Sequence, residues 1–119
     1  MNRITHWIIA AMQLVLIGAW LMTGWVYIAT PPRMVAALGM SETVRHAIGT
    51  GMLVSALAPL AGLLTQGRMT TIAGSALLAA EGVAWILYDV ARGWMAFVAY
   101  FSFLTLVAIA VLIVRARVR

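Results

Sequence analysis

The sequence predicts an all-α integral membrane protein, a single domain over residues 1–119 that forms an antiparallel four-transmembrane-helix bundle with a short interfacial helix between helices one and two. Of its residues 65% are hydrophobic and 9% are charged, and the mean hydropathy is +1.04, whereas about a quarter of a soluble domain is charged. The apolar residues fall into four runs near the ~20 residues that cross a hydrocarbon core as a helix. We therefore expect helices at about 7–29, 44–64, 69–88 and 94–114.

The first run, 7–29, is expected to end at Thr30, because two prolines follow it. Proline lacks an amide donor and disfavours helical angles in the residue before it. A secretory signal has an apolar region of roughly 7 to 15 residues, and this run is longer. We therefore expect a membrane anchor that is retained.

The connection 31–43 is the one long link between the runs, and it carries apolar residues at helical spacing. This pattern predicts a short helix that lies in the membrane interface. Ser41 is a suitable N-cap for the second helix, and Glu42 is favourably placed in its first turn. Pro59 lies inside the second helix and predicts a kink there.

Two tight turns link the remaining runs, one at 66–68 and one at 89–93. Short connections make consecutive helices antiparallel neighbours. The third run is rich in small residues such as Gly74 and Gly82, which let helix backbones approach closely in lipid. We expect it to be the central and most buried helix.

All eight basic residues are arginines, and they lie almost entirely between the apolar runs, where topology and lipid headgroups account for them. Five lie at the end of the bundle that holds the termini and three at the other end: Arg3, Arg68, Arg115, Arg117 and Arg119 against Arg33, Arg45 and Arg92. By the positive-inside rule, this bias predicts both termini in the cytoplasm. We expect the lipid bilayer, other membrane subunits or a second copy as partners, and no nucleic acid.

Glu81 is the main candidate for a functional residue, because a charged side chain near the middle of a span costs about 2 to 4 kcal/mol. Trp85 and Tyr88 follow it on the same helix face. Hydroxyl-bearing residues at comparable depth on the other helices complete a predicted polar pocket: Thr23, Thr50, Tyr100 and Ser102. Such a pocket would take a proton, a quinone or another amphipathic ligand. The alternative is that Glu81 only hydrogen-bonds between helices and holds them together.

No metal or haem is expected, whereas a quinone is a cofactor that the pocket would accept. The sequence has no cysteine, and its histidines and acids lack the spacing of metal ligands. His6 and His46 are predicted at opposite membrane interfaces, too far apart to ligate one haem iron. Asp89 and Arg92 could pair across a helix end, or Arg92 could contact a lipid headgroup; in either case a solvated structural role is expected rather than a catalytic one. No catalytic motif of soluble enzymes is present in the sequence, so we do not expect this chain to catalyse a reaction on its own.

Several short motifs in a fixed order carry a resemblance to a known family. They are Thr-Gly-Trp at 23–25, Ala-Leu-Gly-Met-Ser at 37–41, Ile-Gly at 48–49, the tight turn at 66–68, and Tyr-Asp-Val-Ala-Arg-Gly at 88–93. In this layout, which covers nearly the whole chain, the sequence resembles DoxX-like proteins. The resemblance implies a small bacterial four-helix membrane protein, and some family members are associated with thiosulfate:quinone oxidoreductase or membrane redox complexes. Where members commonly carry a Lys and a Glu, this chain has Tyr27 and Met52, so a function based on that ion pair is not implied.

Three functions follow from these observations. The pocket and the resemblance favour an accessory or redox-linked subunit that faces a quinone. A structural or assembly subunit of a larger complex fits a chain with almost no mass outside the membrane. A small proton-coupled multidrug-type transporter has similar length and four helices, but such transporters resemble this chain less, because they carry an essential Glu in helix one and the run 7–29 has no acidic residue.

Overall fold

The computed structural model describes residues 3–29 and 41–117 of the chain. Five helices are present within these residues: α1 (Arg3–Ala29), α2 (Glu42–Ser55), α3 (Leu57–Thr65), α4 (Arg68–Arg92) and α5 (Met95–Arg117). Helices α2 and α3 together form one span, so the described residues contain four helical spans that are long and apolar enough to cross a membrane. The prediction of four apolar helical spans is confirmed. The predicted interfacial helix lies outside the described residues.

The helices extend beyond the apolar runs that predicted them. Helix α1 begins at Arg3, and α4 continues to Arg92, so the predicted turn over 89–93 is wrong. A helix can continue through polar residues as long as its backbone hydrogen bonds are made. Helix α4 ends only at Gly93, which has a left-handed backbone with φ of 75° and donates its amide to the carbonyl of Val90 at 3.1 Å.

The second span begins and breaks for local reasons. Ser41 Oγ accepts a hydrogen bond of 3.2 Å from the amide three residues later, and Glu42 lies in the first turn, as predicted. The span is interrupted at Ala56, between α2 and α3. Pro59 explains this break, because it has no amide hydrogen to donate to the carbonyl of Ser55.

Close backbone contacts hold the spans together. Helix α1 packs on α2, α3 and α5, and α4 packs on α3 and α5. At Gly24 of α1, an added Cβ would lie 2.8 Å from the carbonyl oxygen of Gly49 on α2. At Gly74 of α4, it would lie 2.8 Å from the backbone nitrogen of Pro59. Such approaches replace the hydrophobic drive that lipid does not provide between helices.

The span formed by α4 is not the most buried one. Six of the 25 residues of α4 are buried, against seven of the 27 residues of α1. The small residues of α4 allow close approach on the sides that face α3 and α5, while large side chains such as Leu87 remain exposed. Exposed apolar side chains of this kind occur on all four spans, as a lipid-facing surface requires.

Candidate functional site

Glu81 lies at a junction of three spans. Its Oε2 accepts a hydrogen bond of 3.2 Å from the indole nitrogen of Trp20 on α1, and its Oε1 accepts one of 2.7 Å from the hydroxyl of Ser55 at the end of α2. Trp20 is fully buried. The break that Pro59 causes lies directly after Ser55. Both carboxyl oxygens are therefore used in joining α1, α2 and α4.

Thr23 and Tyr100 form a second polar contact, between α1 and α5. Their hydroxyl oxygens lie 2.9 Å apart. The Thr23 hydroxyl also donates to the carbonyl of Ala19 at 2.7 Å, so in this arrangement Tyr100 donates to Thr23. Hydroxyl hydrogens rotate freely. When Thr23 donates to Tyr100 instead, the Tyr100 hydroxyl can donate to the carbonyl of Ala19 at 3.4 Å or, in place of this long contact, to the carbonyl of a ligand.

Thr23 and Tyr100 both line a groove of about 410 Å³ between α1 and α5. Its other walls are apolar or aromatic side chains from both helices, mainly Met22, Val26, Tyr27, Phe97 and Phe101. Ligand pockets in proteins commonly measure 300 to about 1,000 Å³, with apolar walls and a few polar groups that orient the ligand. This groove, which we call the α1/α5 groove, has both properties.

Aromatic contacts connect the groove with the Glu81 junction. Phe101 forms part of the groove wall, and its ring lies 6.1 Å from Trp20 and 5.2 Å from Tyr100 between centroids. On its other side Phe101 stacks on Trp85, at 5.9 Å and an interplanar angle of 18°. The hydrogen bond from Trp20 to Glu81 therefore holds the Trp20 ring in place, and this ring packs against Phe101 in the wall of the groove.

The structure brings only some of the predicted pocket residues together. Thr23 and Tyr100 are hydrogen-bonded and line the α1/α5 groove, whereas the described residues that line it do not include Glu81. Thr50 is exposed on α2, and Ser102 is half-buried on α5 without lining the groove.

Trp85 and Tyr88 lie together on α4, with ring centroids 5.6 Å apart, and both line a second cavity of about 250 Å³. This cavity is bordered on the α2 side by Val44 and Ile48. The predicted single pocket is thus divided into a groove, a junction and a separate aromatic cavity.

Arg45 is a buried structural residue, whereas its position in the sequence indicated only the topology of the chain. It is 2% exposed, and its guanidinium donates to the carbonyls of Tyr27 and Ile28 in the last turn of α1. A cation is favourable there because of the helix dipole and the unpaired carbonyls. Glu42 lies 3.7 Å from it. This contact could have been predicted from the sequence, because Arg45 lies in the first turn of an apolar span.

The predicted solvated pair of Asp89 and Arg92 is wrong. Asp89 is 1% exposed, and its Oδ2 has no hydrogen-bond partner among the residues that the structure describes. The guanidinium of Arg92 instead lies over two rings, 5.2 Å from the centroid of Tyr88 and 5.6 Å from that of Trp94. Asp89 was misplaced because α4 runs past it, which turns its side chain inward.

The histidines and acids of the described segments do not form a metal-binding group of three or more. His6 borders a cavity together with Arg115, and His46 lies beside Arg45, with Nε2 3.3 Å from its Nη2. The two imidazoles thus belong to different parts of the bundle.

The four apolar spans indicate the class of the protein, a multi-pass membrane protein. Comparisons with protein families, curated proteins and solved structures found no match to this chain. Function must therefore be argued from the geometry of the site, since a helical bundle by itself implies no activity.

Proposed function

We propose that this protein is an accessory or redox-linked subunit of a bacterial inner membrane that binds a quinone, or a similar amphipathic molecule, in the α1/α5 groove. The observation that carries the proposal is the groove itself, an apolar, aromatic space of about 410 Å³ whose lining includes the hydrogen-bonded residues Thr23 and Tyr100. The resemblance to DoxX-like proteins, some of which are associated with quinone-linked complexes, supports the same function.

The chemistry of the groove matches that of a quinone. A quinone ring is flat and apolar, and its carbonyl oxygens accept hydrogen bonds; Phe97 and Phe101 supply aromatic walls, and Tyr100 supplies a donor. Met22, Val26 and Phe97 are 61%, 55% and 48% exposed, so one side of the groove opens on the apolar outer surface of the bundle. A lipid-soluble ligand can enter from that side without crossing water.

An antiparallel bundle with both termini in the cytoplasm is part of this proposal. Along α1 and α2, Tyr27 contacts Arg45 and Gly24 contacts Gly49, so residue numbers rise on one helix as they fall on the other. Arg68 donates to the backbone carbonyls of residues 115 and 116, at 3.1 and 2.6 Å. These contacts support an arrangement in which the termini and the turn before α4 share one end.

A structural or assembly subunit is the second candidate function, and the Glu81 junction favours it. Both carboxyl oxygens of Glu81 are used between helices, which matches the interpretation of this residue as an interhelical contact. In the quinone-binding function, the same junction positions Phe101 through Trp20. A proton-coupled transporter has no comparable support, because Glu81 does not line the groove.

Binding of decylubiquinone, a short-chain quinone, to the detergent-solubilised protein tests the proposal. Quenching of tryptophan fluorescence reports the dissociation constant. Ala96 lines the groove, so we expect Ala96→Phe to fill it and to weaken binding at least about tenfold, through steric exclusion. Tyr100→Phe should weaken binding about two- to tenfold, the usual effect of losing one neutral hydrogen bond.

Two control variants lie outside the groove. Ala99→Phe adds the same bulk on an exposed position of α5, and Thr50→Val removes a hydroxyl from an exposed position of α2; both should bind like the wild type. If Ala96→Phe and Ala99→Phe have equal affinity, the α1/α5 groove is not the site. A wild-type protein that binds no quinone but co-purifies in a stoichiometric complex would support the structural subunit instead.

A further inference from the structure

A third cavity, which is polar, lies at the opposite end of α1 from the groove. It measures about 190 Å³ and is formed where α1, α3, α4 and α5 converge. Gln13 and Thr71 lie at its inner end; they are 3% and 2% exposed. His6 and Arg115 lie at its outer end. Since His6 and Gln13 are seven residues apart on α1, the cavity reaches about 10 Å into the bundle.

The polar groups of this cavity are suited to an anion. Arg115 supplies a guanidinium, which is held at the rim by a hydrogen bond of 3.2 Å to the carbonyl of Gln66. The amide nitrogen of Gln13 lies 3.5 Å from Thr71 Oγ1, a long contact that leaves donor capacity on the amide. The whole sequence has three acidic residues, and the described residues that line the cavity include none of them.

The surroundings of the cavity are those of a membrane interface. Trp7 lines it and is 64% exposed, and tryptophan is enriched at the level of lipid headgroups. Leu64 and Met69, on the neighbouring helices, are 75% and 71% exposed, so apolar surface is available beside the cavity for acyl chains. An anion at this position in a bilayer is most simply the phosphate of a lipid.

We propose that this cavity binds the headgroup of an anionic phospholipid, with Arg115 paired to the phosphate and Gln13 hydrogen-bonded to the glycerol oxygens. Its volume is more than ten times the roughly 15 Å³ that one ordered water requires, which leaves room for a phosphate and part of the glycerol. Arginine is favoured for this role because its planar guanidinium donates two parallel hydrogen bonds to a phosphate. This site is independent of the α1/α5 groove.

Native mass spectrometry of the protein with dioleoylphosphatidylglycerol tests the proposal through two matched arginines. Arg115 and Arg117 lie in the last turn of α5, but only Arg115 lines the cavity, and Arg117 is exposed. We expect one retained lipid per chain, about tenfold weaker binding in Arg115→Gln, and nearly unchanged binding in Arg117→Gln. Equal losses in the two variants would show attraction to surface charge alone and would overturn the proposal.

A second pair of variants leaves every charge in place. Ala10 lines the cavity and Ala11 is exposed beside it, so Ala10→Leu should displace the lipid and Ala11→Leu should not. Retention of the lipid by Ala10→Leu, with helical content unchanged, would contradict the proposal even if Arg115→Gln fails to fold. Binding of inorganic phosphate is measured in parallel. If phosphate binds and Arg115→Gln weakens this binding, while the wild type retains no lipid, the assignment of the ligand as a lipid is wrong.

Discussion

At the scale of single residues, Glu81 is held by two donors and does not line any of the three cavities described above. Trp20 and Ser55 each donate to one of its oxygens. In a membrane, such interhelical hydrogen bonds contribute about 0.6 kcal/mol on average and up to about 1.7 kcal/mol. Two of them are enough to make this junction a measurable part of the stability of the bundle.

Replacement of Glu81 should separate its hydrogen bonding from its charge. Glutamine keeps one acceptor for Trp20, and its amide can donate to the oxygen of Ser55, whose hydroxyl rotates. We expect Glu81→Gln to change the free energy of unfolding by less than about 1 kcal/mol. Glu81→Leu should lower it by about 1 to 3 kcal/mol, because the buried indole of Trp20 and the half-buried hydroxyl of Ser55 lose their acceptor. Unfolding in mixed detergent micelles, followed by circular dichroism, measures both.

The same variants decide between the two interpretations of Glu81. If Glu81 acts as a proton carrier in the proposed quinone-linked function, Glu81→Gln should abolish the quinone-dependent activity of the complex that contains this subunit, while it leaves stability unchanged. If Glu81 is an interhelical contact, Glu81→Gln behaves like the wild type in both measurements. A large loss of stability in Glu81→Gln would contradict the proposed exchange of hydrogen bonds with Ser55.

The sequence predicted Glu81 but not its partners, for a physical reason. A carboxyl group in an apolar run stands out by composition alone, whereas Trp20 counts as apolar and Ser55 is an ordinary small residue. Depth can be read from the position in a run, and Thr23, Thr50 and Tyr100 were grouped on that basis. The rotation of a helix about its axis cannot be read from the sequence in this way, because the faces of a span in lipid are all largely apolar. Thr50 was therefore grouped with the pocket residues, although it faces outward.

At the scale of helices, glycines set the distance between α1 and α2. A Cβ added to Gly49 would lie 2.6 Å from the carbonyl oxygen of Gly24, whereas one added to Gly51, two residues along the same helix, would meet nothing within 4 Å. Backbone atoms cannot rotate away as a side chain can. The two positions therefore respond to the same substitution in opposite ways.

We expect Gly49→Ala to lower the free energy of unfolding by about 1 to 3 kcal/mol, because the two backbones must separate. Gly51→Ala should have no cost, or should stabilise the helix by up to about 1 kcal/mol, because alanine is the better helix former. Thermal unfolding in a mild detergent compares the two. Equal melting temperatures would show that α1 and α2 do not approach as closely as the structure indicates.

Helix boundaries could be predicted less well than the spans themselves. Hydropathy marks the part of a helix that is in lipid, and this gave the four spans with a few residues missing from several ends. The ends depend on local hydrogen bonds. The N-cap at Ser41 could be predicted, whereas the end of α4 was predicted too early, because the helix continues to Arg92 and ends at Gly93. The break at Ala56 follows from Pro59 and was predicted as a kink.

At the scale of the whole molecule, the bundle measures 49 × 24 × 18 Å. A bilayer with its headgroup regions is about 40 to 45 Å thick, so the long axis can cross it completely. Arg68, Arg115 and Arg117 mark one end, whereas Arg45 near the other end is buried against α1.

Cysteine labelling measures this orientation directly, because the sequence contains no cysteine. Thr43 and Ala116 are exposed residues near opposite ends of the bundle. In intact spheroplasts of a bacterial host, a membrane-impermeant maleimide should label Thr43→Cys and should label Ala116→Cys only after permeabilisation. The reverse pattern would place the termini outside, and labelling of both variants in intact spheroplasts would indicate dual topology.

The three-span junction also bears on how the chain is assembled during synthesis. A ribosome produces the N-terminal spans first, so Trp20 and Ser55 are already available when Glu81 emerges. The most costly side chain of the third span can thus meet its hydrogen-bond donors as soon as it enters the bilayer. We therefore expect the order of residues along the chain to shorten the time for which an unpaired acid is exposed to lipid.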